Sequence, residues 1–264
     1  MSMNTIYLEG ISLIGPGLPN WSDAQPVLRG EQPIDMAPVV MPVAELLPAT
    51  ERRRAGSAIR LSMAIGLGAA RAAGRDPATL ANIFSSTGGD CENCHSLLDT
   101  LASDDRMISP TRFHNSVHNA AAGYWGIATH CTAASTSLCT YDATFGAALL
   151  ETACQALSSG QPCLLIAFDT AYPEPLYSLR PIPWPFGVGM VLSPMQTAAH
   201  QPSLRLSLCQ EPADTLAQSD LESLRLQVPS ARSLPLLQRL ARGGSGRVVI
   251  DYLAETSLAI EVAA

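Results

Sequence analysis

Residues Tyr141–Asp169 read YDATFGAALLETACQALSSGQPCLLIAFD, and this stretch decides the fold. Thr144–Ser158 is a strongly apolar helix, stopped by Gly160-Gln161-Pro162. Cys163–Asp169 follows as a nearly unbroken apolar run, the pattern of a strand buried on both faces within a parallel sheet. Immediately upstream, Ser135–Tyr141 reads as another strand. Before it, Ser109–Ile127 (SPTRFHNSVHNAAAGYWGI) reads as a helix opened by Ser-Pro, with small residues that permit close backbone packing. Downstream, Gly187–Ser193 and Leu204–Cys209 add strands after a proline-rich loop, Pro173–Pro185.

Working outward, Leu80–Ser85 is a short buried strand, and Thr87-Gly88-Gly89-Asp90 turns into a helix reaching about Leu101. Glu51–Gly74 is expected to form one long helix, with Ile59, Met63, Leu67 and Ala70 at helical spacing and Gly74 as its C-cap. Ile6–Ile14 is strand-like and ends at Gly15-Pro16-Gly17. The proline-rich stretch to Thr50 reads as irregular, with at most a short turn of helix. At the other end, Ser233–Arg242 reads as a helix, Gly243–Gly246 as a flexible connection, and Val248–Leu253 with Ser257–Val262 as a β-hairpin. Alternation of helix and strand gives an α/β chain in three layers.

Composition narrows the chemistry. The 264 residues are 47% hydrophobic and 15% charged, which excludes disorder and supplies a sizeable core. Every one of the 16 basic residues is arginine, so Schiff-base lysine chemistry and a Walker phosphate loop are excluded. A net charge of −7 with dispersed arginines argues against a nucleic-acid partner. No apolar run approaches the roughly 20 residues of a membrane span, so no membrane partner is expected. MSMNTIYLEG lacks the basic and apolar regions of a signal peptide, which makes the cytoplasm the expected compartment. The 7 cysteines, odd in number and partly in apolar runs, are expected to be reduced thiols.

The order and spacing of these segments resemble the N-terminal half of β-ketoacyl-acyl-carrier-protein synthases, condensing enzymes of the thiolase fold. The likeness is carried by ERRRAGSAIRLSMAIGLGAARAAGRDP at 51–77, NIFSSTGGD at 82–90, SP…NSVHNAAAGYWGI at 109–127, DATFGAALLETACQAL at 142–157, CLLIAFD at 163–169 and GVGMVL at 187–192. It implies a thiolase-like α/β/α architecture with a mixed sheet and a truncated C-terminal half. The whole chain, 1–264, is expected to be one ketosynthase-like domain: residues 1–195 the core, and 196–264 a divergent helix and hairpin. One placement for that hairpin is over a sheet face that the missing half would otherwise cover.

In that family a strand delivers a nucleophilic cysteine to a helix N-terminus, where the dipole and unpaired N–H groups favour the thiolate. Counting back from Leu164–Phe168 puts the nucleophile's place at Ala143, followed by Thr144 and Gly146. A methyl group cannot carry an acyl chain. The family's C-terminal histidine pair is also missing, since only His200 lies downstream of Leu192.

The resemblance therefore implies a non-catalytic paralogue of the chain-length-factor type, as in type II polyketide and aryl polyene systems, without a cofactor or metal. Its implied partners are an active ketosynthase, in a heterodimer or heterotetramer, and an acyl carrier protein bearing the growing chain. Ser135–Asp142 would be the interface strand, with Thr136, Leu138, Thr140 and Asp142. Phe113, Asn115, Val117 and His118 would pack across the interface, Ala143 and Phe145 would mark the elbow and tunnel, and the helix from Asp90 to Leu101 would wall the tunnel. An uncovered apolar sheet face would further favour pairing.

Other signals have simpler readings. Cys91-Glu92-Asn93-Cys94-His95 matches the c-type haem motif, yet two helix-face cysteines account for it without export or a distal ligand. A zinc site there needs further ligands, which Cys131 and His130 would have to supply. His114 and His118 at i and i+4 on one helix could bind a metal or a polar substrate; interface hydrogen bonding by one, with the other exposed, is simpler. The Gly187 and Gly189 pair reads as close packing, and Arg52-Arg53-Arg54 as a solvated face or a contact for an acidic partner. The alternative from a different class is an active acyltransferase or condensing enzyme using Cys139 or Cys131 as nucleophile.

Overall fold

A computed structural model describes residues 5–263. In chain order, β1 (Ile6–Ile14) leads to α1 (Trp21–Arg29), α2 (Ala49–Arg54) and α3 (Ser57–Ala72). Then come β2 (Ala81–Ser85), α4 (Cys91–Ala102), α5 (Pro110–His114), α6 (Ala120–Thr129) and β3 (Ser135–Leu138). A 3-10 turn, Tyr141–Ala143, precedes α7 (Thr144–Ser159) and β4 (Cys163–Asp169). After α8 (Leu176–Leu179), β5 (Phe186–Ser193) and β6 (Ser203–Cys209) are followed by α9 (Ser219–Gln227) and a 3-10 turn, Pro229–Ser233. Last come α10 (Leu234–Arg242), β7 (Gly246–Leu253) and β8 (Thr256–Ala263).

The strands form one eight-stranded mixed sheet in the order β3-β2-β4-β5-β1-β6-β8-β7. β2 runs parallel to both β3 and β4, whereas the remaining neighbours are antiparallel. All of β4 is buried, as its apolar run requires. Its alternate residues divide the core: Cys163, Leu165 and Ala167 join α1, α7 and α10 on one face, while Leu164, Ile166 and Phe168 join α3 and α6 on the other. The Gly187 and Gly189 reading holds, because a Cβ at Gly189 would stand 2.5 Å from the Ile65 carbonyl oxygen of α3.

Several expectations need correction. Residues 51–74 form two helices, broken at Ala55 and Gly56 by extended backbone (Gly56 ψ 179°), and the missing side chain of Gly56 leaves room for the Asp90 carboxylate. Ser109–Ile127 likewise splits into α5 and α6. At the break the Asn115 side chain donates to the Arg54 carbonyl (3.1 Å) and accepts from Tyr124 Oη (3.2 Å), tying the bend to α2 and α6. His114 and His118 therefore do not share a helix. A full helix, α1, occupies part of the stretch read as irregular, capped by the Asn20 side chain and burying Ala24, Val27 and Leu28. α9 was not foreseen. The hairpin covers no face: β8 pairs with β6, extending the sheet at its edge, and helices cover both faces of the central strands β2, β4 and β5.

Candidate functional site

The parallel strands β2, β3 and β4 all end at one edge of the sheet, where Ser85 stands level with Leu138 and Ala167. In α/β sheets the carboxyl ends of strands are where ligands bind. From this edge three segments converge: Ser86–Asp90, Cys139–Ala143 and Asp169–Arg180. The elbow is the tight passage from β3 into α7. Tyr141 takes φ +53°, a left-handed conformation costly for a bulky side chain. Thr144 Oγ1 donates to the Tyr141 carbonyl (2.7 Å), and Ser85 Oγ donates to the Thr144 carbonyl (3.0 Å), locking the bend to β2.

Ala143 heads α7 and is 5% exposed. It borders a cleft of about 530 Å3 formed with Thr140, Tyr141, Asp142, Arg232 and the hairpin bend Asp251–Ala254. The elbow itself is charged and paired. Arg180 lies 3.5 Å from the Tyr141 ring centroid and donates through Nη2 to Asp142 Oδ1 at 2.7 Å. Arg232 approaches both Asp142 Oδ2 and Asp251 Oδ1 at 3.3 Å. Arg225, buried, donates to Asp251 Oδ2 at 2.5 Å and forms a bidentate pair with Glu222. Of these groups only Asp142 was expected from sequence. Arg180, Arg232 and Asp251 come from a loop, a 3-10 turn and the hairpin, none of which carries a motif.

Behind the elbow lies Asp169, fully buried. Its Oδ1 accepts from Thr87 N (2.9 Å) and Ser86 Oγ (3.3 Å), and its Oδ2 accepts from Ser230 N (2.8 Å). Burial pushes its carboxyl up to about 6, although these donors act the other way. His118 Nε2 donates to the Ser86 carbonyl at 2.8 Å, so its ring braces the same loop.

The remaining expected site residues fall into three groups. Phe113 and Val117 are exposed, at 63% and 54%, and rim an apolar groove of about 750 Å3 with Gly123 and Ile127. Thr136 and Leu138 lie half-buried on the edge strand, where Thr136 Oγ1 accepts from Gln155 Nε2 (2.9 Å). Asn115 and Phe145 are buried, Phe145 within the main core, so neither presents a surface to a partner.

Among the thiols, Cys139 is exposed at the elbow edge, its Sγ donating to the Thr87 carbonyl at 3.1 Å. Cys131 contacts the Leu80 carbonyl at 3.5 Å, at the opposite end of β2. Cys91 and Cys94 donate to the Gly88 and Ser116 carbonyls, and burial pushes the Cys91 thiol up to about 11. Among the described residues, no cluster of three or more His, Cys, Asp or Glu side chains could hold a metal ion, and no helix is long and apolar enough to cross a membrane.

A mixed sheet with an elbow at the carboxyl ends of its parallel strands is the framework of a thiolase-like condensing-enzyme half. Residues 20–250 match the family described as β-ketoacyl synthase, N-terminal domain, and the chain belongs to that family. No curated protein sequence matches the chain. Among solved structures, a chain of the ketosynthase ApeO in complex with its chain length factor ApeC, from Xenorhabdus doucetiae, has TM-score 0.73 at 23% identity. That match covers 98% of this chain and 100% of the other. A chain of the ishigamide ketosynthase/chain length factor gives 0.72 at 12%, covering 98% and 99%. A chain of AntDE:AntF, a type II polyketide synthase acyl carrier protein in complex with its ketosynthase, gives 0.75 at 12%, covering 99% of each chain. At these identities the likeness is one of fold, and it extends over the whole of both chains.

Proposed function

We propose that this chain is a catalytically silent, chain-length-factor-like subunit that pairs with an active ketosynthase and shapes the tunnel in which its acyl chain grows. One observation carries the reading: the residue at the head of α7, where the family places its nucleophile, is an alanine with its methyl group covered. The chain offers a partner two features. β3 ends the sheet, and among the described residues no strand pairs with its outer edge. An unpaired strand edge is a template for another chain. In addition, α4 to α6 expose Leu98, Leu101, Phe113, Val117 and Ile127, the last three rimming one groove, and exposed apolar surface of this kind marks protein interfaces. An active ketosynthase would pair on this side, and an acyl carrier protein would bring the chain to that subunit.

The groove of Arg53, Arg54, Arg60 and Arg112, about 440 Å3, is a candidate contact for an acidic carrier. Arg53→Glu is expected to weaken carrier binding in proportion to falling salt, measurable by titration at two ionic strengths. Co-expression with candidate ketosynthases tests the main reading: a stable complex with one of them is expected, and a monomer indifferent to all would count against it.

A second reading is favoured by one observation, the exposed Cys139 at the elbow edge. In it the chain is itself an acyl acceptor. Peptide mapping after exposure to acyl-carrier thioesters separates the two, since acylation of Cys139 would establish this reading.

A further inference from the structure

We propose that the C-terminal hairpin is a built-in stopper over the elbow, held shut by the Asp142–Arg232–Asp251 clasp, so that even a thiol restored at position 143 would stay out of reach. This rests on the reading of Ala143 as the nucleophile's place. It adds a second bar to acyl transfer, independent of the missing sulfur.

The geometry begins at Gly146, in the first turn of α7. A Cβ there would stand 2.7 Å from the Asp251 carbonyl oxygen and 3.4 Å from Tyr252 Cδ2. Only glycine lets the hairpin backbone lie this close, and the hairpin thereby rests on the turn that follows Ala143. The side chain of the same Asp251 is gripped from two directions, by Arg225 at 2.5 Å and by Arg232 at 3.3 Å. Arg225 is itself only 5% exposed and pinned by Glu222, so this anchor is rigid. Arg232 then reaches across the cleft to Asp142, on the elbow, at 3.3 Å. Asp142 is held on its far side by Arg180, whose guanidinium covers Tyr141. Each aspartate thus takes two guanidiniums, and neither the elbow nor the hairpin can swing away without breaking charge-assisted bonds.

Charge balance points the same way. Arg180, Arg232 and Arg225 are matched by Asp142, Asp251 and Glu222, three against three. The cleft therefore has no surplus positive charge to draw in a phosphorylated carrier arm. A site built to admit such a group would keep an unmatched cation.

The test is differential alkylation of the full-length chain. With Ala143→Cys, iodoacetamide is added and the rate at each cysteine is read by peptide mass spectrometry, native Cys139 serving as the exposed internal standard. The introduced thiol is expected to react at least about tenfold more slowly than Cys139. Adding Arg232→Gln should raise its rate at least about tenfold and leave Cys139 unchanged. An introduced thiol as fast as Cys139 in the single variant would overturn the stopper, as would a rate unmoved by Arg232→Gln. Should Arg232→Gln fail to fold, Asp142→Asn breaks the same clasp at its more exposed partner, whose side chain is 42% exposed, and must give the same acceleration. Acylation of the wild-type chain at Cys139 by a carrier thioester would instead remove the silent-subunit reading while leaving the stopper standing.

Discussion

Asp169 is the residue whose protonation should be visible from outside the molecule. Its carboxyl titrates near 6 when folded, against about 4 for a solvated aspartate. The folded state therefore binds the proton more tightly than the unfolded state does. The stabilisation is fully present below pH about 4 and is lost as pH rises through about 6, at up to about 1.4 kcal/mol per pH unit. Urea unfolding of the wild type against Asp169→Asn should show this slope in the wild type alone, the difference isolating one group from the other carboxylates. Equal slopes would mean that the buried donors hold Asp169 ionised throughout. Nothing in the sequence announced this residue beyond its place at the end of an apolar strand. Ala143 was legible for the opposite reason: its strand, helix and glycine are local, so counting along the chain reaches it. The arginines around it come from segments far apart in sequence, and only the tertiary fold makes them neighbours.

At the scale of elements, β3 carries the prediction most easily isolated from folding. Asn82 N donates to the Ala134 carbonyl and Ser86 N to the Leu138 carbonyl, and parallel pairing alternates along a strand. The backbone groups of Ser135 and Ser137 consequently point away from β2, to the open edge. Ser137→Pro removes an outward N–H and no ladder bond. It should leave the melting temperature of the isolated chain unchanged and weaken association with a ketosynthase partner by roughly tenfold, about 1.4 kcal/mol. Unchanged affinity in a calorimetric titration would place the interface elsewhere. Element types were readable where period and length agreed, as in β1, β4, α7 and the hairpin. Boundaries failed where distant segments meet the chain: at Asn115 the side chain bonds the Arg54 carbonyl from another helix, and at Gly56 the Asp90 carboxylate lies where a side chain would stand.

At the scale of the molecule, residues beyond 195 are built into the same sheet as those before it. β6 bonds to β1 on one side and β8 on the other, while Val248, Ile250, Leu258 and Ile260 share a core cluster with Phe145 and Leu165. We therefore take the chain as a single folding unit with one cooperative transition. A chain ending at residue 195 would expose the apolar edge of β1 and uncover α1 and α7, and it should be recovered insoluble or without a thermal transition. A soluble, cooperatively melting 1–195 fragment would divide the chain into separate units. The class of fold was readable because strands and helices alternate at the expected lengths. The topology of the last third was not, since a hairpin's sequence specifies its own pairing and says little of which edge or face receives it.

The most direct trial is intact-mass spectrometry of this chain co-purified with a ketosynthase that binds it and incubated with an acyl-loaded carrier protein. The acyl increment should appear on the ketosynthase subunit alone, with this chain at its unmodified mass throughout. An acyl increment on this chain, with the partner unmodified, would mean that it is the condensing subunit and that the covered alanine was never the decisive residue.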